Sequence, residues 1–245
     1  MASPLSVQLY TVRDAIAADL PGTLQRVAGI GYTQVELYGY TDRVDEYATA
    51  LAGAGLTAPS GHAKLLGQDV EAILQASAQL GIATVIDPHI DEARWTTRDD
   101  VEAIARELTG IAEQAADRGL TIGYHNHAFE LENRIDGAPA LEVFAGALGD
   151  DVVLELDTYW CEVGGEDAPA FLRRLGDRVQ LLHVKDGPKN KNDTEQTAVG
   201  SGSMPVQEIL AAAPNALRVV ELDDHDGDVF EALAGSFAYL SEARA

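Results

Sequence analysis

The sequence repeats one pattern eight times: a short apolar run rich in β-branched residues, followed by a segment with helical periodicity. The runs cover residues 5–10, 33–37, 56–60, 83–87, 120–127, 152–157, 179–184 and 217–222. They are continuous rather than alternating, which is typical of parallel strands that are covered on both faces. Eight such units in 245 residues predict a single domain, residues 1–245, folded as a closed (β/α)8 TIM barrel. A doubly wound open sheet is the alternative, but no GxGxxG sequence follows the first run.

Two segments between the runs show helical spacing most clearly. Apolar residues recur every three or four positions at Val101, Ile104, Ala105, Leu108, Ile111, Ala112 and Ala115. A second face comprises Val70, Ile73, Leu74 and Ser77. Thr97, three residues before Asp100, is typical of a helix N-terminus. Helix ends in the left-handed conformation are predicted at Gly31, Gly55, Gly81, Gly119, Gly149 and Gly176, and at Asn215.

Composition argues against several classes of protein. Apolar residues make up 46% of the chain, but no run approaches the roughly 20 apolar residues that a membrane-spanning helix needs. The N-terminus lacks the basic segment and apolar core of a signal peptide, so we expect a cytoplasmic protein. Lys and Arg total 17 against 40 Asp and Glu, and the net charge of −23 disfavours nucleic acid and anionic membranes as partners. Cys161 is the only cysteine, so no internal disulfide can form.

Polar and titratable residues crowd the carboxyl ends of the predicted strands, several of them two positions apart and therefore on one face. They are Gln8, Tyr10, Glu36, His62, Asp87, His89, His125, His127, Glu155, Asp157, His183, Lys185, Glu221 and Asp223. Active sites of (β/α)8 barrels lie at this end of the strands. The clustering therefore predicts a functional site rather than a solvated surface.

Three of these residues suggest a metal site. Asp157, His183 and Glu221 come from three consecutive strands, so barrel closure would bring them around one point. His125, from the strand before them, is the candidate fourth ligand. Carboxylates and imidazoles without a thiolate suit Mn²⁺, Mg²⁺, Co²⁺ or Zn²⁺. The alternative is a buried salt-bridge network of Asp157, His183 and Lys185.

One connection, residues 185–205, is long and polar. Such a loop suits a flap over the site. Its Gly200 and Gly202 precede a helix and would either cradle a phosphate on free N–H groups or form an ordinary turn.

The order of the motifs resembles a known family. GYHNHxFE, ELDxYW, HVKD and VVE, after an opening VQLYTVRD, resemble the sugar phosphate isomerase/epimerase family. This is the xylose isomerase-like barrel group, which also holds inosose dehydratases and enzymes that act on 3-keto-glycosides. The resemblance implies metal ligation by Asp157, His183 and Glu221. It departs at His125, where many members carry a glutamate that also moves a proton, and Glu130 is an alternative ligand.

The chemistry that the resemblance implies is proton abstraction next to a carbonyl through an enediolate, with Glu221 or His127 taking the proton. Lys185 would stabilise the oxyanion or form a salt bridge to Asp157 or Asp186. The residues predicted to line a sugar-binding pocket are Gln8, Tyr10, Glu36, His62, Glu130, Glu155 and Trp160. This predicts an isomerase or epimerase of a keto-sugar or sugar phosphate. The alternative is a lyase of the same group, which the HNH sequence at strand five favours.

Two other classes compete with these enzymes. A metal-dependent DNA-repair nuclease of similar fold would need a basic groove, which a charge of −23 does not provide. A sugar-binding barrel without catalysis would keep the aromatic pocket and lose the metal. The expected partner in either sugar-directed case is a small carbohydrate, and the resemblance also allows a homodimer.

Overall fold

The computed structural model describes residues 4–242. The strands of this part of the chain, in order, are β1 (Leu5–Val7), β2 (Gln34–Tyr38), β3 (Thr57–His62), β4 (Thr84–Asp87), β5 (Thr121–His125), β6 (Arg134–Ile135), β7 (Ala138–Pro139), β8 (Val152–Asp157), β9 (Val179–Val184) and β10 (Leu217–Val220). The α-helices are α1 (Arg13–Ala18), α2 (Leu20–Ile30), α3 (Val44–Ala54), α4 (Val70–Gln79), α5 (Arg98–Ala116), α6 (Phe129–Glu132), α7 (Ala140–Ala147), α8 (Thr158–Val163), α9 (Ala168–Leu175), α10 (Val206–Ala212) and α11 (Val229–Glu242).

Eight of the strands form one parallel sheet in the order β1-β10-β9-β8-β5-β4-β3-β2. The two ends of this sheet meet at Gln8 and Glu36, which form a parallel bridge. The Gln8 side chain donates a hydrogen bond of 2.8 Å from Nε2 to Glu36 Oε1 at the same place. The sheet is therefore a nearly closed barrel, and the predicted (β/α)8 fold is confirmed over the open doubly wound sheet.

The amphipathic helices cover the barrel as their spacing predicted. The buried face of α5 consists of the seven residues that the periodicity selected, from Val101 to Ala115. Thr97 caps this helix by accepting a hydrogen bond from Asp100 N at 3.2 Å. Burial of each large aliphatic side chain on such a face contributes roughly 1.5–3 kcal/mol. On α4, Ile73, Leu74 and Ser77 are buried, whereas Val70 in the first turn is only half-buried.

Three strands end earlier than the apolar runs predicted, because side chains take over the backbone pairing. β10 stops at Val220 rather than at residue 222, and the N–H of Leu222 donates to Thr11 Oγ1 at 3.0 Å. β1 stops at Val7, since Gln8 Oε1 accepts a hydrogen bond from Tyr10 N and starts a 3₁₀ turn. β5 stops at His125, since the Asn126 side chain bonds to the backbone of the neighbouring strand. β8 and β9 have the predicted bounds.

Two of the predicted left-handed helix ends are wrong. Neither Gly149 nor Asn215 has a positive φ, whereas the other five glycines do. Gly149 is needed for space instead. Its N–H donates to Thr109 Oγ1 at 3.0 Å, and a Cβ at this position would lie 2.6 Å from Thr109 Cγ2. A close approach between backbone and side chain thus explains this glycine.

The long loop 185–205 is tied down rather than free. Asp186, at its start, accepts hydrogen bonds from the N–H groups of Gly187, Gly200 and Met204 at 2.8–3.0 Å. Gln196, in its middle, is fully buried and bonds to Asp223 through both its amide atoms. The loop is therefore anchored to the barrel, and the N–H of Gly200, which the phosphate alternative needed free, donates to the carboxylate of Asp186.

Across residues 4–242, the structure contains no helix whose length and apolar character would allow it to cross a membrane.

Candidate metal centre and active site

A cavity of about 960 Å³ opens at the carboxyl ends of the barrel strands. Six of the predicted site residues line it: Tyr10, His62, His125, His127, Trp160 and Glu221. The remaining seven are at most 1% exposed and lie beneath its surface: Gln8, Glu36, Glu130, Glu155, Asp157, His183 and Lys185. The structure thus brings the predicted residues to one end of the barrel, but Gln8, Glu36, Glu130 and Glu155 do not face the cavity as the proposed pocket lining required.

Lys185 lies at the centre of a group of carboxylates, here called the lysine cluster: Asp157, Lys185, Glu221 and Asp223. Its Nζ is 2.8 Å from Asp157 Oδ2, 2.8 Å from Glu221 Oε2 and 2.6 Å from Asp223 Oδ2. Burial would lower the pKa of Lys185, but the three carboxylates outweigh burial and raise this pKa well above its usual value. The buried ammonium therefore stays charged. Of the two salt bridges that the sequence suggested for Lys185, the one to Asp157 is present and the one to Asp186 is not among its ion pairs.

A second group, here called the histidine cluster, comprises Glu36, His62, Glu155 and His183. His62 Nε2 lies 2.7 Å from Glu155 and 3.1 Å from Glu36. His183 Nε2 lies 2.7 Å from Glu36 and 3.1 Å from Glu155. Burial alone would lower the pKa of His62, but the two carboxylates raise it to about 10. Burial likewise opposes the charged form of His183, and its carboxylate neighbours raise its pKa well above the usual value.

The four predicted metal ligands converge. His125, Asp157, His183 and Glu221 each offer one donor atom, and these atoms lie within 4.8 Å of one another. All four side chains are buried, and Glu221 and His125 also reach the cavity wall. We call this set the metal quartet.

The chemistry of the metal quartet fits a divalent cation. In the lysine cluster three carboxylates surround a single ammonium, which leaves two negative charges in excess. In the histidine cluster two carboxylates face His62, whose pKa is raised, and His183, which must be neutral to ligate a metal, so this cluster has no excess positive charge to offset the lysine cluster. Asp157 Oδ2 is buried, and although Lys185 Nζ lies 2.8 Å away, no donor among the described residues is aligned to form a hydrogen bond with it. Because uncompensated buried charge is costly, a divalent ion among these ligands would supply what the cluster lacks.

A further group of possible ligands, His62, His125, Glu155 and His183, shares its two central imidazoles with the metal quartet. His125 presents Nε2 to Asp157 at 3.8 Å and Nδ1 to Glu155 at 3.2 Å. His183 presents Nδ1 to Glu221 at 2.6 Å and Nε2 to the histidine cluster. Each ring can thus offer one nitrogen to a metal while a carboxylate oxygen lies within 3.2 Å of the other nitrogen, and a carboxylate in that position is common around protein-bound metals.

Glu130 is not positioned as a ligand. The Glu130 carboxylate is fully buried, accepts a hydrogen bond from Tyr124 Oη at 2.6 Å and accepts another from His127 N at 2.8 Å. It therefore fixes the backbone of His127, whose ring stacks on Phe129 at 5.7 Å and remains at the cavity. The short helix α6, which the sequence did not reveal, turns Glu130 away from the metal quartet.

Sequence reasoning placed Asp223 at a strand end without giving it a role, and it overlooked Tyr38. Asp223 accepts hydrogen bonds from Lys185 Nζ, Trp160 Nε1 and Gln196 Nε2 at 2.6–3.1 Å. Tyr38 lines the cavity and packs edge-on against the Tyr10 ring at 5.5 Å. Each stands two positions after a predicted site residue, Asp223 after Glu221 and Tyr38 after Glu36. The i, i+2 spacing was the available signal for both.

The fold and the site together define a (β/α)8 barrel with a cluster of potential metal ligands at the carboxyl ends of its strands. The chain belongs to the xylose isomerase-like TIM barrel family, whose model matches residues 24–216. No curated protein sequence matches the chain significantly.

Solved structures share the whole fold at low sequence identity. A sugar phosphate isomerase/epimerase from Parabacteroides distasonis has a TM-score of 0.85 and 24% identity, covering 98% of this chain and 94% of that one. A probable 3-DHS dehydratase from Bacillus anthracis has a TM-score of 0.74 and 13% identity, covering 97% and 98%. The IOLI protein, solved with a bound zinc atom, has a TM-score of 0.76 and 14% identity, covering 98% and 97%. These neighbours thus include both an isomerase/epimerase and a dehydratase.

Proposed function

We propose that the protein is a divalent-metal-dependent isomerase or epimerase that acts on a keto-sugar by proton abstraction next to the carbonyl. The observation that carries the proposal is the metal quartet, whose donor atoms converge within 4.8 Å at the wall of a cavity. Mn²⁺, Mg²⁺, Co²⁺ and Zn²⁺ are all compatible with its oxygen and nitrogen donors. When bound, such an ion supplies Lewis-acid polarisation of a carbonyl and stabilises negative charge on neighbouring oxygens.

The protein supplies two proton-transfer groups from different sides of the cavity. Glu221 follows β10 and His127 follows β5, and two strands separate β10 from β5 in the sheet. Glu221 takes the proton from the carbon next to the carbonyl, which generates an enediolate. His127 returns a proton to the opposite face or to the neighbouring carbon. Transfer between two groups accounts for either epimerisation or isomerisation.

Lys185 has a positioning role in this proposal. It is buried and does not reach the cavity, so it cannot touch the substrate in this arrangement. Its ion pairs hold Asp157 and Glu221 in place at 2.8 Å each. Burial raises the pKa of Glu221, but His183 and Lys185 outweigh it and hold that pKa well below its usual value. The carboxylate therefore starts in the form that accepts a proton.

The test is solvent proton exchange. Purified protein, stripped with chelator and reloaded with each of the four metals, is incubated with a panel of ketoses in D₂O. We expect metal-dependent incorporation of deuterium at the carbon next to the carbonyl, observed by NMR. Asp157→Asn should abolish it while keeping the helix cap that Asp157 Oδ1 provides to Trp160 N, since asparagine caps helices equally well. Metal binding without deuterium incorporation into any ketose would contradict the proposal.

A lyase is the second candidate, and one observation favours it. The candidate ligand on β5 is His125 rather than a carboxylate. The His127 ring lies 5.3 Å from the His125 ring and 5.3 Å from the His89 ring, measured between centroids. A histidine acid at the cavity suits loss of a β-hydroxyl or glycosidic group after the same proton abstraction. Incubation with a keto-inositol or 3-keto-glucoside would then yield an enone absorbance or a released aglycone.

A further inference from the structure

We propose that the cavity takes an uncharged carbohydrate and excludes phosphate esters. The inference rests on the proposed function, because it concerns the substrate of the same site. Two observations support this inference: the positions of the carboxylates around the carboxyl ends of the strands, and the small number of positively charged side chains at the cavity that could bind an anion.

Backbone N–H groups that would bind a phosphate are already occupied. Four aspartates beside the carboxyl ends of the strands accept hydrogen bonds from main-chain N–H groups: Asp69, Asp87, Asp157 and Asp186. Asp87 accepts from Leu65, Leu66 and His89 at 2.8–3.3 Å. Asp186 accepts three more in the glycine-containing loop. Helix starts and nests of N–H groups are the usual phosphate sites, and here internal carboxylates fill them.

The charged side chains of the cavity repel an anion. Five carboxylates line it: Asp42, Asp69, Asp193, Glu221 and Asp223. Glu221 and Asp223 are paired with Lys185, so Asp42, Asp69 and Asp193 are the three that repel an anion. Arg13 lines the rim but is engaged, since it donates to Asp223 O at 2.8 Å and stacks over the Tyr10 ring at 4.4 Å. Lys64 is the other rim cation. His62, also on the wall, is held between two carboxylates. The metal quartet would neutralise one bound divalent ion, so it adds little attraction for a phosphate.

The remaining wall suits a neutral sugar. Tyr10 is 42% exposed, the Tyr38 ring lies beside it, and the Trp160 indole also faces the cavity. Aromatic faces pack against the apolar faces of sugar rings, and carboxylates accept hydrogen bonds from hydroxyl groups. The cavity of about 960 Å³ lies at the large end of small-molecule sites.

Matched pairs of ligands test the inference without requiring turnover. Protein loaded with Zn²⁺ or Mg²⁺ is titrated with D-fructose, D-glucose and cellobiose and with the 6-phosphate of each, by saturation-transfer NMR. We expect at least one neutral sugar to bind with a dissociation constant about tenfold or more below that of its phosphate. The result that overturns the inference is a phosphate ester that binds as tightly as its neutral partner, or an absence of binding by all three neutral sugars.

Charge variants test the physical cause. Asp42 and Asp193 line the cavity and make no side-chain hydrogen bond or ion pair with a described residue. The double variant Asp42→Asn/Asp193→Asn should bring the dissociation constants of each phosphate ester and its neutral partner about threefold to tenfold closer together. The control Asp117→Asn/Asp151→Asn changes the net charge equally at the opposite end of the barrel, before β5 and β8. Equal effects of the two double variants would refute the local explanation.

The outcomes also separate this inference from the proposed function. A neutral sugar that binds but never exchanges a proton contradicts only the proposed function. A phosphate ester that is bound and converted contradicts only the inference about charge.

Discussion

Glu155 is the carboxylate that lies close to both imidazoles of the metal quartet. Its Oε2 lies 3.2 Å from His125 Nδ1 and 3.1 Å from His183 Nε2, on the side away from the proposed ion. A carboxylate in this place fixes the orientation of each ring and makes its other nitrogen a better ligand. We therefore expect Glu155 to affect metal binding through these two side chains.

The substitution Glu155→Gln should accordingly weaken metal binding about 10–100-fold. The measurement is a competition titration of Zn²⁺ and Co²⁺ against a chelator, with the Co²⁺ absorption spectrum as a second readout of ligand geometry. The control Glu46→Gln removes an exposed carboxylate that pairs with Arg43 and should leave the affinity unchanged. A folded Glu155→Gln protein with wild-type affinity would show that the carboxylate is structural only.

His62 links the stability of the metal-free protein to pH. Its folded-state pKa is raised to about 10, above the usual value of 6.5. The folded state therefore retains a proton that the unfolded chain loses between these values. The stabilisation is complete below about pH 6.5 and is lost as the pH rises through the folded pKa, at up to about 1.4 kcal/mol per pH unit for one proton.

Urea unfolding at pH 7, 8 and 9 in the presence of chelator measures this dependence. The free energy of unfolding of the wild type should fall over the range, and His62→Gln should fall less steeply from a lower starting value. The matched control is His225→Gln, because His225 bonds to the backbone oxygen of Gln196 and forms no ion pair with a described residue. Identical slopes for all three proteins would rule out a protonated His62.

Among the elements, the junction of β5 and β8 decides where the site sits. Backbone pairing of β5 ends at His125. At the next residue, Asn126, hydrogen bonds from the side chain to β8 take its place. Asn126 Oδ1 accepts from Asp157 N at 2.9 Å, and its Nδ2 donates to Asp157 O at 3.4 Å. One amide thus joins two strands that each carry a residue of the metal quartet.

Removal of this amide should loosen both strands. Asn126→Ala leaves the buried N–H of Asp157 without a partner, which costs about 1–3 kcal/mol. We expect this loss in urea unfolding, together with weaker metal binding. The Asn133 side chain forms no hydrogen bond with a described residue, so Asn133→Ala should change stability by no more than about 0.5 kcal/mol. Equal losses of stability in the two variants would show that the Asn126 amide does not join β5 to β8 in this way.

At the scale of the whole molecule, the sequence predicted the barrel because a parallel sheet covered on both faces gives continuous apolar runs. β8 and β9 are almost wholly buried and have the predicted bounds. The predicted bounds of β1, β5 and β10 were too long, because strand propensity continues through residues 8, 126 and 222 while side chains there bond to backbone groups. Those bonds depend on neighbouring strands and have no signature within the run.

The candidate site divides in the same way. His125, Asp157, His183 and Glu221 were brought together by topology alone, since the carboxyl ends of adjacent parallel strands meet at one end of the barrel. The sequence could not predict which of the inward-facing residues would be buried beneath the cavity. Spacing places Glu36 and Glu155 on the inner face, but whether an inner residue faces a ligand or another carboxylate depends on barrel closure.

Net charge is a property of the whole molecule, and its effect on stability has an expected sign. The charge of −23 favours unfolding through self-repulsion. Exposed ion pairs, such as those of Arg43, Arg94 and Arg98, act in the opposite direction, but each contributes only about 0–1 kcal/mol. Because acidic residues outnumber basic ones by 40 to 17, repulsion should outweigh these pairs.

Salt should therefore stabilise the protein. Between 0.01 and 0.15 M ionic strength the screening length falls from about 30 Å to about 8 Å, which weakens long-range repulsion more than contacts between paired groups. In chelator-containing buffer we expect NaCl over this range to raise the unfolding temperature by roughly 3–6 °C, which corresponds to about 1–2 kcal/mol for a chain of this size. KCl should act equally, and sucrose at the same osmolality should have a smaller effect. A fall in the unfolding temperature would mean that the ion pairs, rather than the excess of carboxylates, dominate the electrostatic free energy of the fold.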